Sequence, residues 1–516
     1  MKIFRCLLVF GVALFVSCHE KQPNPNRDLS LAAYEGLQTE RFEMNPQLIR
    51  AAIGRLSAAD RDSMTADFKI KSYYLRHLPF LWIDRHGVDH KADTLLAYLR
   101  EVDKMGFNGE KFRVREIAED LDRLRTLQVG QSINRVLARL EYNLTKAYLR
   151  YVMGQRFGFV NPQYVFNRLD VYKQDSLGVT YRGLFDIGMD RPGQRFYRTA
   201  LRKIIADSVG QYLREIQPHN ELYHRLIAVL NNKKLSRVNK EKLLCNIERS
   251  RWRLHDMPER HTKYVIVNIP SFHLLAIDGD STLSMRIGCG TWDTKTPLLT
   301  SSIHRMDVNP QWIIPRSIIE RDIIRHTGDK RYFEERRFFV RERRTGKRID
   351  ISRVTPAMLQ SRDYLVIQEG GEGNSLGRII FRFNNNFSVF LHDTSSKDVF
   401  RQNDRGVSHG CIRVEKPFEL AVFLLGHQDT KIIDKIRYSM EADVSGIGHK
   451  SAKGVGEESE TLLDRSRLIS NIPLKRPVPL FITYYTIYPS PQGELQEFHD
   501  VYGFDRVIYD HLRNYR

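Results

Sequence analysis

The chain has 516 residues, of which 41% are hydrophobic and 28% are charged, and its formal net charge is +19 at pH 7. The length predicts two or three domains rather than one core, and the composition excludes wholesale disorder. The positive charge suits an anionic envelope polymer or a lipid surface, whereas no zinc-finger, RNP or helix-turn-helix pattern supports nucleic-acid binding.

Residues 1–18 have the pattern of a secretory signal. Lys2 and Arg5 precede an apolar run, Cys6–Val16, that is too short for a stable membrane span. Phe15–Cys18 has the form of a lipobox, which predicts that Cys18 becomes the lipidated N-terminus of a membrane-anchored lipoprotein. Ordinary signal cleavage and an uncleaved anchor are the alternatives.

Of the five cysteines, Cys245, Cys289 and Cys411 remain after this segment is set aside. An odd number in an oxidising compartment leaves at least one thiol free. A free thiol in that environment calls for a chemical reason.

Residues 19–45, which include Lys-Gln-Pro-Asn-Pro-Asn-Arg, are typical of a tether. From 46 to 255 the apolar residues recur with the period of a helix, which predicts an α-helical scaffold domain. The strongest segments are Ala92–Met105, Ile133–Met153, Phe196–Leu230 and Lys240–Trp252.

The apolar period changes to two from Tyr264 onward, in runs rich in β-branched and aromatic residues. Asp278-Gly279-Asp280 predicts a tight hairpin turn. The predicted strands are Tyr264–Ile269, Phe272–Ile277, Thr282–Ile287, Ser302–Val308, Gly377–Phe383, Phe387–His392 and Val478–Tyr488. A helix is expected at Glu419–Leu425 and a loop at 443–460. The fold class is therefore α+β, with a mostly antiparallel β domain at 260–516 that closes around His392 and Cys411.

Residues 321–364 interrupt this strand pattern with a dense basic run. Its cations alternate with Phe338, Phe339 and Val340, and they are Arg336, Arg337, Arg341, Arg343, Arg344, Lys347 and Arg348. A solvated basic helix or hairpin is the ordinary interpretation of such a run.

A thiol and two imidazoles come together in the sequence after this insertion. A predicted strand carries His392 at its tip, and Ser408-His409-Gly410-Cys411 follows after a short loop. A free cysteine is mostly protonated at neutral pH, and a neighbouring histidine raises its reactivity by accepting the proton. Gly410 permits a sharp turn, so that the N–H groups of Gly410 and Cys411 could hold an oxyanion.

Two other interpretations of these residues stay open on spacing alone. In the first, Cys411 packs as a small buried hydrophobe, with His409 as an ordinary polar neighbour. His392, Asp393, His409 and Cys411 also mix imidazole, carboxylate and thiolate, as metal ligands do, although without a CxxC or HxxxH pair.

The combination of His392, Ser-His-Gly-Cys and a following hydrophobic residue resembles the signature of the L,D-transpeptidase catalytic domain, which cross-links bacterial peptidoglycan. The resemblance covers about residues 65–515 and extends to the large, scaffold-bearing, periplasmic branch of the family. The other segments that carry it are Gly290–Pro297, Asn309–Trp312, Gly373–Arg378, Leu391–Thr394 and the run from Pro477-Val478-Pro479 to Tyr502-Gly503. Many smaller members have Asn where this chain has Arg413.

The resemblance implies a cysteine-dependent mechanism without a metal or organic cofactor. Cys411 would be the nucleophile and His392 the general base and acid, with the backbone carbonyl of Asp393 orienting the imidazole; His409 is the rival base. The resemblance also implies a lid-like insertion at 321–364 that caps the site. Substrate contacts are expected from Ser408, His409, Arg413 and Asn374.

The resemblance further implies that donor and acceptor peptidoglycan stem peptides are the partners, at the periplasm-facing side of a bacterial envelope membrane. The expected activity is 3→3 cross-linking, and acylation of Cys411 by carbapenems is expected with it. The alternatives are an L,D-carboxypeptidase, an enzyme that anchors lipoproteins to peptidoglycan, and a wall-binding lipoprotein without turnover.

Overall fold

The computed structural model describes residues 39–84, 87–175, 178–232, 239–426, 429–442, 444, 463–490 and 492–516. The predicted signal with Cys18, most of the tether and nearly all of the predicted loop 443–460 lie outside these described residues. The chain forms two compact units, one from the described residues up to Met153 with Gly193–Gln217, the other from Gly154–Pro192 with Pro218–Arg516. None of the described helices combines the length and apolarity that crossing a membrane requires.

The first unit is helical. Its helices are Pro46–Ala59, Thr65–Leu75, His90–Arg100, Val114–Arg125, Gln194–Ile205, Val209–Glu215 and most of Ile133–Phe157, and Ile83–Asp84 pairs with Gly87–Val88 in a short hairpin. The predicted helix Ala92–Met105 ends earlier, at Arg100, and a 3₁₀ turn, Val102–Met105, leads to Gly106 at φ 82°. The predicted segment Phe196–Leu230 is broken into three helices, and Asp207 at φ 52° lies at the first break.

A buried ionic network holds the long helix of this unit to the preceding turns. Lys146 contacts Asp60 and lies 2.7 Å from Asp62, and Arg150 contacts both oxygens of Asp67 at 2.9 Å. Buried charges are tolerated only when they are paired in this way. The network therefore links the long helix to the segment 60–67.

A ten-stranded sheet forms the centre of the second unit. Its strands, in chain order, are β1 (Phe185–Asp186), β2 (Lys263–Asn268), β3 (His273–Asp278), β4 (Ser281–Gly290), β5 (Leu298–Val308), β6 (Ile379–Phe383), β7 (Leu391–His392), β8 (Gly406–Ser408), β9 (Ile412–Val414) and β10 (Asn471–Thr483). The predicted turn at Asp278-Gly279-Asp280 is confirmed, because Asp278 pairs with Ser281 across β3 and β4.

The sheet closes on itself. The strand order is β6-β7-β9-β4-β3-β2-β10-β5-β1, with β8 paired to β4 off this path. An additional pairing of β6 with β5, the strand next to the far end, closes the sheet into a barrel. Most neighbours are antiparallel, but β7 and β9 run parallel, with Leu391 opposite Ile412 and His392 opposite Arg413. Since adjacent strands lie about 4.8 Å apart, this pairing brings His392 close to the end of the loop that carries Cys411.

The basic insertion is a subdomain with its own sheet and core, which we call the lid (residues 312–368). Its strands pair antiparallel in the order Trp312–Ile313, Tyr364–Gln368, Phe338–Glu342, Arg348–Ile349. Its buried core consists of Ile314, Ile318, Ile319, Ile323, Phe333, Val340, Val354, Leu359 and Val366. The basic run itself forms the expected hairpin, because Phe338–Glu342 pairs with Arg348–Ile349 and residues 343–348 between and at its turn are exposed. The subdomain extends beyond the expected 321–364, since its sheet includes Trp312–Ile313 and Tyr364–Gln368.

The α-helices of the second unit are Pro162–Phe166, Glu221–Asn231, Lys240–Arg251, Pro417–Leu425, Thr430–Glu441 and Phe504–Leu512, together with Arg316–Ile318, Lys330–Glu335 and Pro356–Gln360 in the lid. Lys240–Arg251 packs on Phe504–Leu512, where the Cys245 thiol donates to the carbonyl of Asp505 at 3.1 Å. Helices within the range 46–255 that is predicted for the scaffold thus belong to the same unit as the barrel. The α+β class, with a helical region before a β-rich domain, is confirmed, while the domain boundary at 255–260 stays a prediction.

Candidate active site

A cavity of about 550 Å³ opens at the end of strands β7 and β9. His392 and Cys411 both line it, although the sequence separates them by the loop that contains β8. The other lining residues are Gln311, Trp312, Ile313, Pro315, Ser317, Ile318, Ser375, Leu376, Ile380, Arg382, Phe387, Ser388, Val389, Phe390, Ser408, His409 and Arg413.

His392 is buried, with 4% of its surface exposed. Its Nδ1 contacts the backbone carbonyl of Asp393, and since a carbonyl only accepts, Nδ1 carries the proton and Nε2 holds the free lone pair. Burial, supported by the nearby charge of Arg413, lowers the pKa of His392 to about 4. The imidazole is therefore neutral at physiological pH and available as a base.

The Cys411 thiol is neutral as well. Burial raises its pKa to about 11, against the smaller opposing effects of a hydrogen bond from the backbone of Phe390 and of the charge of Arg413. The resting pair is thus thiol and imidazole rather than thiolate and imidazolium, because the cavity disfavours charge on both groups.

Three hydroxyl groups form hydrogen bonds with the backbone of the loop that carries Cys411. The Oγ of Ser408 donates to the carbonyl of Cys411 at 2.5 Å and accepts from the N–H of Gly410 at 3.1 Å. Gly410 adopts φ 111°, which favours glycine. Thr296 donates to the carbonyl of Gly410 at 2.9 Å, and Thr294 donates to the carbonyl of Ser408 at 2.7 Å.

This bracing distinguishes the two N–H groups predicted to hold an oxyanion. The N–H of Gly410 is engaged by Ser408, whereas the N–H of Cys411 donates to no other group among the described residues. The resting loop therefore leaves the Cys411 N–H as the available donor, and a contribution from Gly410 stays a prediction.

The carboxylate of Asp393 faces away from the imidazole. It accepts from the backbone N–H of Arg378 at 2.8 Å and pairs with Lys397. It occupies the space beside Gly377, where a Cβ atom would lie 2.4 Å from its Cγ. The carboxylate thus caps a turn, while the carbonyl of the same residue contacts His392.

Two arginines line the cavity in different electrostatic states. Arg382 pairs with Asp307 and lies over the ring of Phe390, 4.9 Å from its centroid. Arg413 forms no ion pair within the described part of the chain, and its Nε is buried without a hydrogen-bond partner. Burial lowers the pKa of Arg413. An unpaired guanidinium beside Cys411 suits an incoming carboxylate.

The lid contributes apolar residues to the cavity wall. His409 also lines the cavity and lies close to the lid. The Nε2 of His409 lies 3.7 Å from Asp322 of the lid, and the side chain is 47% exposed. Burial of its inner part lowers the pKa of His409. In the part of the lid that the structure describes, the predicted basic run from Arg336 to Arg348 contributes no side chain to the cavity wall.

Asn374 lies outside the cavity wall, and a substrate contact from it stays a prediction. It is buried, and its amide donates to the carbonyls of Glu369 and Pro310 and accepts from the N–H of Leu376. Its hydrogen bonds brace the turn before β6, and it does not line the cavity. The segment Asn309–Trp312, singled out by resemblance alone, instead supplies Gln311 and Trp312 to the wall.

The donor atoms of His392, Asp393, His409 and Cys411 do not converge on a common point. Among the described residues, the one group of metal-ligating side chains close enough to share an ion is Asp89, His90 and Asp207, in the first unit. The geometry of the cavity thus favours the nucleophile over the metal-ligand interpretation.

Comparisons with known proteins agree with this location of the site. A family model described as L,D-transpeptidase catalytic domain matches residues 262–433, and one described as scaffold domain matches residues 69–230. A Haemophilus influenzae protein named "Putative L,D-transpeptidase" is 27% identical over 304 residues, which cover 58% of this chain and 55% of that protein. The chain therefore spans about half the length of this curated relative.

Proposed function

We propose that this chain, which belongs to the L,D-transpeptidase family and carries a scaffold domain before its catalytic domain, forms 3→3 cross-links between peptidoglycan stem peptides. One observation carries the proposal: parallel strands β7 and β9 bring His392 and Cys411 to the wall of one cavity. A neutral thiol and a neutral imidazole at that wall suit proton transfer that accompanies attack on a substrate.

In the first half-reaction, the Cys411 Sγ attacks the carbonyl that joins the third residue of the donor stem to its terminal D-alanine. His392 Nε2 takes the thiol proton and delivers it to the D-alanine amine as the C–N bond breaks and a thioester remains. The carbonyl of Asp393, in contact with Nδ1, stabilises the imidazolium that exists between these two transfers. The N–H of Cys411 is the donor for the oxyanion.

In the second half-reaction, the side-chain amine of an acceptor stem attacks the thioester. His392 accepts the proton of that amine and returns it to the departing thiolate of Cys411, so that a new amide bond replaces the thioester. No oxidant or external energy source is needed, since the thioester conserves the energy of the donor's amide bond.

Binding of a substrate carboxylate at Arg413 makes His392 a stronger base. Its positive charge contributes to the low pKa of His392. A stem carboxylate bound to Arg413 offsets that charge, so the pKa of His392 rises and the imidazole becomes a stronger base when substrate is present. The proposal therefore assigns Arg413 to recognition of a stem carboxylate.

The test is to incubate the purified protein with muropeptides that carry tetrapeptide stems and to analyse the products by mass spectrometry. We expect 3→3 dimers and free D-alanine from the unmodified chain, and neither product from Cys411→Ala or His392→Ala. Cys245→Ala is the matched control, because Cys245 is buried between helices away from the cavity. Dimers formed by a folded Cys411→Ala variant would contradict the proposal.

The same experiment separates the alternative acceptors. Tripeptide monomers without dimers would identify water as the acceptor and make the protein an L,D-carboxypeptidase. Transfer to an added lipoprotein C-terminus would identify an anchoring enzyme, and the absence of any turnover would leave a wall-binding protein.

The proposal includes a periplasm-facing position on a membrane, held by lipid on Cys18, a residue outside the described part of the structure. Phe15–Cys18 supports this proposal as a lipobox-like segment. Cell fractionation tests it: Cys18→Ser should release the protein from the membrane fraction, and an unchanged distribution would argue against a lipid anchor.

A further inference from the structure

A second concave surface lies on the barrel outside the active-site cavity. We call it the Tyr488 groove, a cavity of about 290 Å³. Its lining consists of Ile266, Asn268, Ser271, His273, Leu275, Ser284, Tyr488, Pro489, Ser490, Gln492, Gln496 and Phe498. Tyr488, Pro489 and Ile266 also line a neighbouring cavity of about 280 Å³, whose wall includes charged residues such as Arg249 and Glu259.

The lining of the Tyr488 groove contains no Asp, Glu, Lys or Arg, although 28% of the whole chain is charged. It presents hydroxyl groups, two glutamine amides and an imidazole around two aromatic rings. This chemistry disfavours an ionic ligand, and the amides and hydroxyls disfavour a purely apolar one. A neutral ligand with many hydroxyl and amide groups and a flat apolar face fits it.

Three polar side chains of the groove, His273, Gln492 and Gln496, have groups that are free to bind. The Nδ1 of His273 donates to the carbonyl of Ser271 at 2.7 Å, which leaves its Nε2 as an acceptor. Within the described residues, neither this Nε2 nor the side-chain amides of Gln492 and Gln496 have a hydrogen-bond partner, and both glutamines are exposed.

The central aromatic ring is held in place before any ligand arrives. Tyr488 stacks on Tyr485, with ring centroids 5.2 Å apart and an interplanar angle of 27°. The amide of Asn268 holds the backbone of Tyr485 from both sides, accepting from its N–H at 2.8 Å and donating to its carbonyl at 2.9 Å. Gln496 lies directly opposite Tyr488 in a short hairpin. A rigid ring beside an amide needs little ordering on binding.

The groove and the active-site cavity share one face of the sheet. Asn268, His273 and Arg286 are successive partners across β2, β3 and β4. Two residues farther along β4, Gly288 is opposite Arg413, and a Cβ at Gly288 would lie 3.2 Å from the side chain of Val407 and 3.6 Å from the Cβ of Arg413. Strand spacing places Asn268 and Arg413 on the order of 15 Å apart, and an extended four-residue peptide reaches about 14 Å.

We infer that the Tyr488 groove binds the N-acetylated glycan strand of peptidoglycan, while a stem peptide of the same strand reaches the cavity at Arg413. The sugar's apolar face stacks on Tyr488, and its hydroxyl and acetamido groups bond with Gln492, Gln496 and His273. The inference rests on the proposed function for the identity of the polymer, but it concerns a surface that takes no part in the reaction.

The experiment uses the full chain with Cys411→Ala, which prevents turnover, and measures binding of an N-acetylglucosamine tetramer and of glycan strands stripped of their stems by an amidase. We expect both to bind, Tyr488→Ala to weaken binding about tenfold, and Tyr488→Phe to retain it. Gln496→Ala should also weaken binding, and as an exposed residue it tests the groove without risk to folding. Tyr172→Ala, in a hairpin outside the groove, is the control.

The outcomes separate this inference from the proposed function. Absence of glycan binding by a chain that still cross-links soluble muropeptides would overturn the groove assignment and leave the activity intact. Binding that Tyr488→Ala and Gln496→Ala leave unchanged would also overturn it. Weakened binding in both variants, with normal cross-linking of soluble muropeptides when Cys411 is present, is the supporting result.

Discussion

His392 and Cys411 are held in their uncharged forms by the same physical cause, the burial that opposes charge on either group. The pKa of His392 is lowered to about 4 and that of Cys411 is raised to about 11. The base form of His392 is therefore present above about pH 4, and the thiolate form of Cys411 appears only near pH 11. On the proposed mechanism, attack on the bound substrate at neutral pH depends on proton transfer from Cys411 to His392 rather than on a preformed thiolate.

The first prediction concerns the pH dependence of Cys411 alkylation. In the absence of substrate, we expect the rate of reaction with iodoacetamide to rise about tenfold per pH unit through neutrality, because the thiolate fraction grows toward the pKa of about 11. Intact-mass spectrometry of timed samples measures the rate, with Cys411→Ala as the blank for the buried thiols. A plateau of rapid alkylation between pH 5 and 8 would instead indicate a thiolate–imidazolium pair.

The second prediction compares two cavity arginines. Arg413→Met should raise KM for an anionic stem peptide by at least about tenfold, since a charged hydrogen-bonded pair contributes about 1.5–3 kcal/mol. The free energy of unfolding should hold or rise by up to about 1 kcal/mol, because a half-buried cation whose Nε lacks a hydrogen-bond partner is removed. Steady-state kinetics and denaturant unfolding measure the two effects.

Arg382→Met is the matched control for this prediction. Arg382 is paired with Asp307, so its loss should lower the free energy of unfolding by about 1 kcal/mol or more. If Arg413→Met destabilised the protein as much as Arg382→Met and left KM unchanged, Arg413 would be a structural brace.

At this scale the sequence identified residue types better than their hydrogen-bond partners. The spacing of His392 and Cys411 pointed to one site, and both line one cavity. The engagement of the Gly410 N–H by Ser408 and the buried amide of Asn374 depend on how two loops fold back on the chain. Local pattern does not determine such contacts.

At the scale of elements, the turn before β6 positions the base. Gly377 adopts φ 64°, and the carboxylate of Asp393 fills the space beside it. The same carboxylate bonds with the N–H of Arg378, while the carbonyl of Asp393 contacts His392. The turn therefore holds the residue whose backbone orients the imidazole.

The third prediction follows from this division of roles within Asp393. Asp393→Asn keeps the backbone carbonyl, so we expect kcat to fall by less than the tenfold that 1.4 kcal/mol would give. Stability should fall by about 1 kcal/mol because the turn loses a charged acceptor. Gly377→Ala should lower kcat more strongly than Asp393→Asn does, because a Cβ at residue 377 displaces Asp393. Kinetics and thermal unfolding of both variants distinguish these roles, and a dead but stable Asp393→Asn would assign catalysis to the carboxylate.

The lid shows why a strand pattern can be hidden in a basic run. Phe339 and Arg341 lie on the strand Phe338–Glu342, but Phe339 is buried whereas Arg341 is half-exposed. The arginines indicate a solvated segment. The core residues Phe333, Val354 and Leu359, however, come from separate turns and helices. Their convergence is a tertiary fact that a window of sequence does not contain.

At the scale of the whole molecule, the division of the helices was the least predictable feature. Helical periodicity identifies an apolar face but not the surface that covers it. The helix Lys240–Arg251 is contiguous in sequence with the scaffold, yet it packs on Phe504–Leu512 in the second unit. Residues 154–192 also belong to that unit, and they supply strand β1 to the sheet.

The last prediction tests this division with two fragments. A fragment of residues 260–516 lacks Phe166, which stacks on Phe504 with centroids 4.4 Å apart, and Arg249, which pairs with Asp505 at 2.5 Å. Loss of a buried aromatic side chain alone costs about 3–5 kcal/mol. This is a large part of the net stability of a domain, which is about 5–15 kcal/mol. We therefore expect this fragment to show no cooperative thermal transition by calorimetry, whereas a fragment of residues 154–516, which retains these partners, shows one. Equal transitions in both fragments would show that the barrel is stable without these helices and would return the boundary to 255–260.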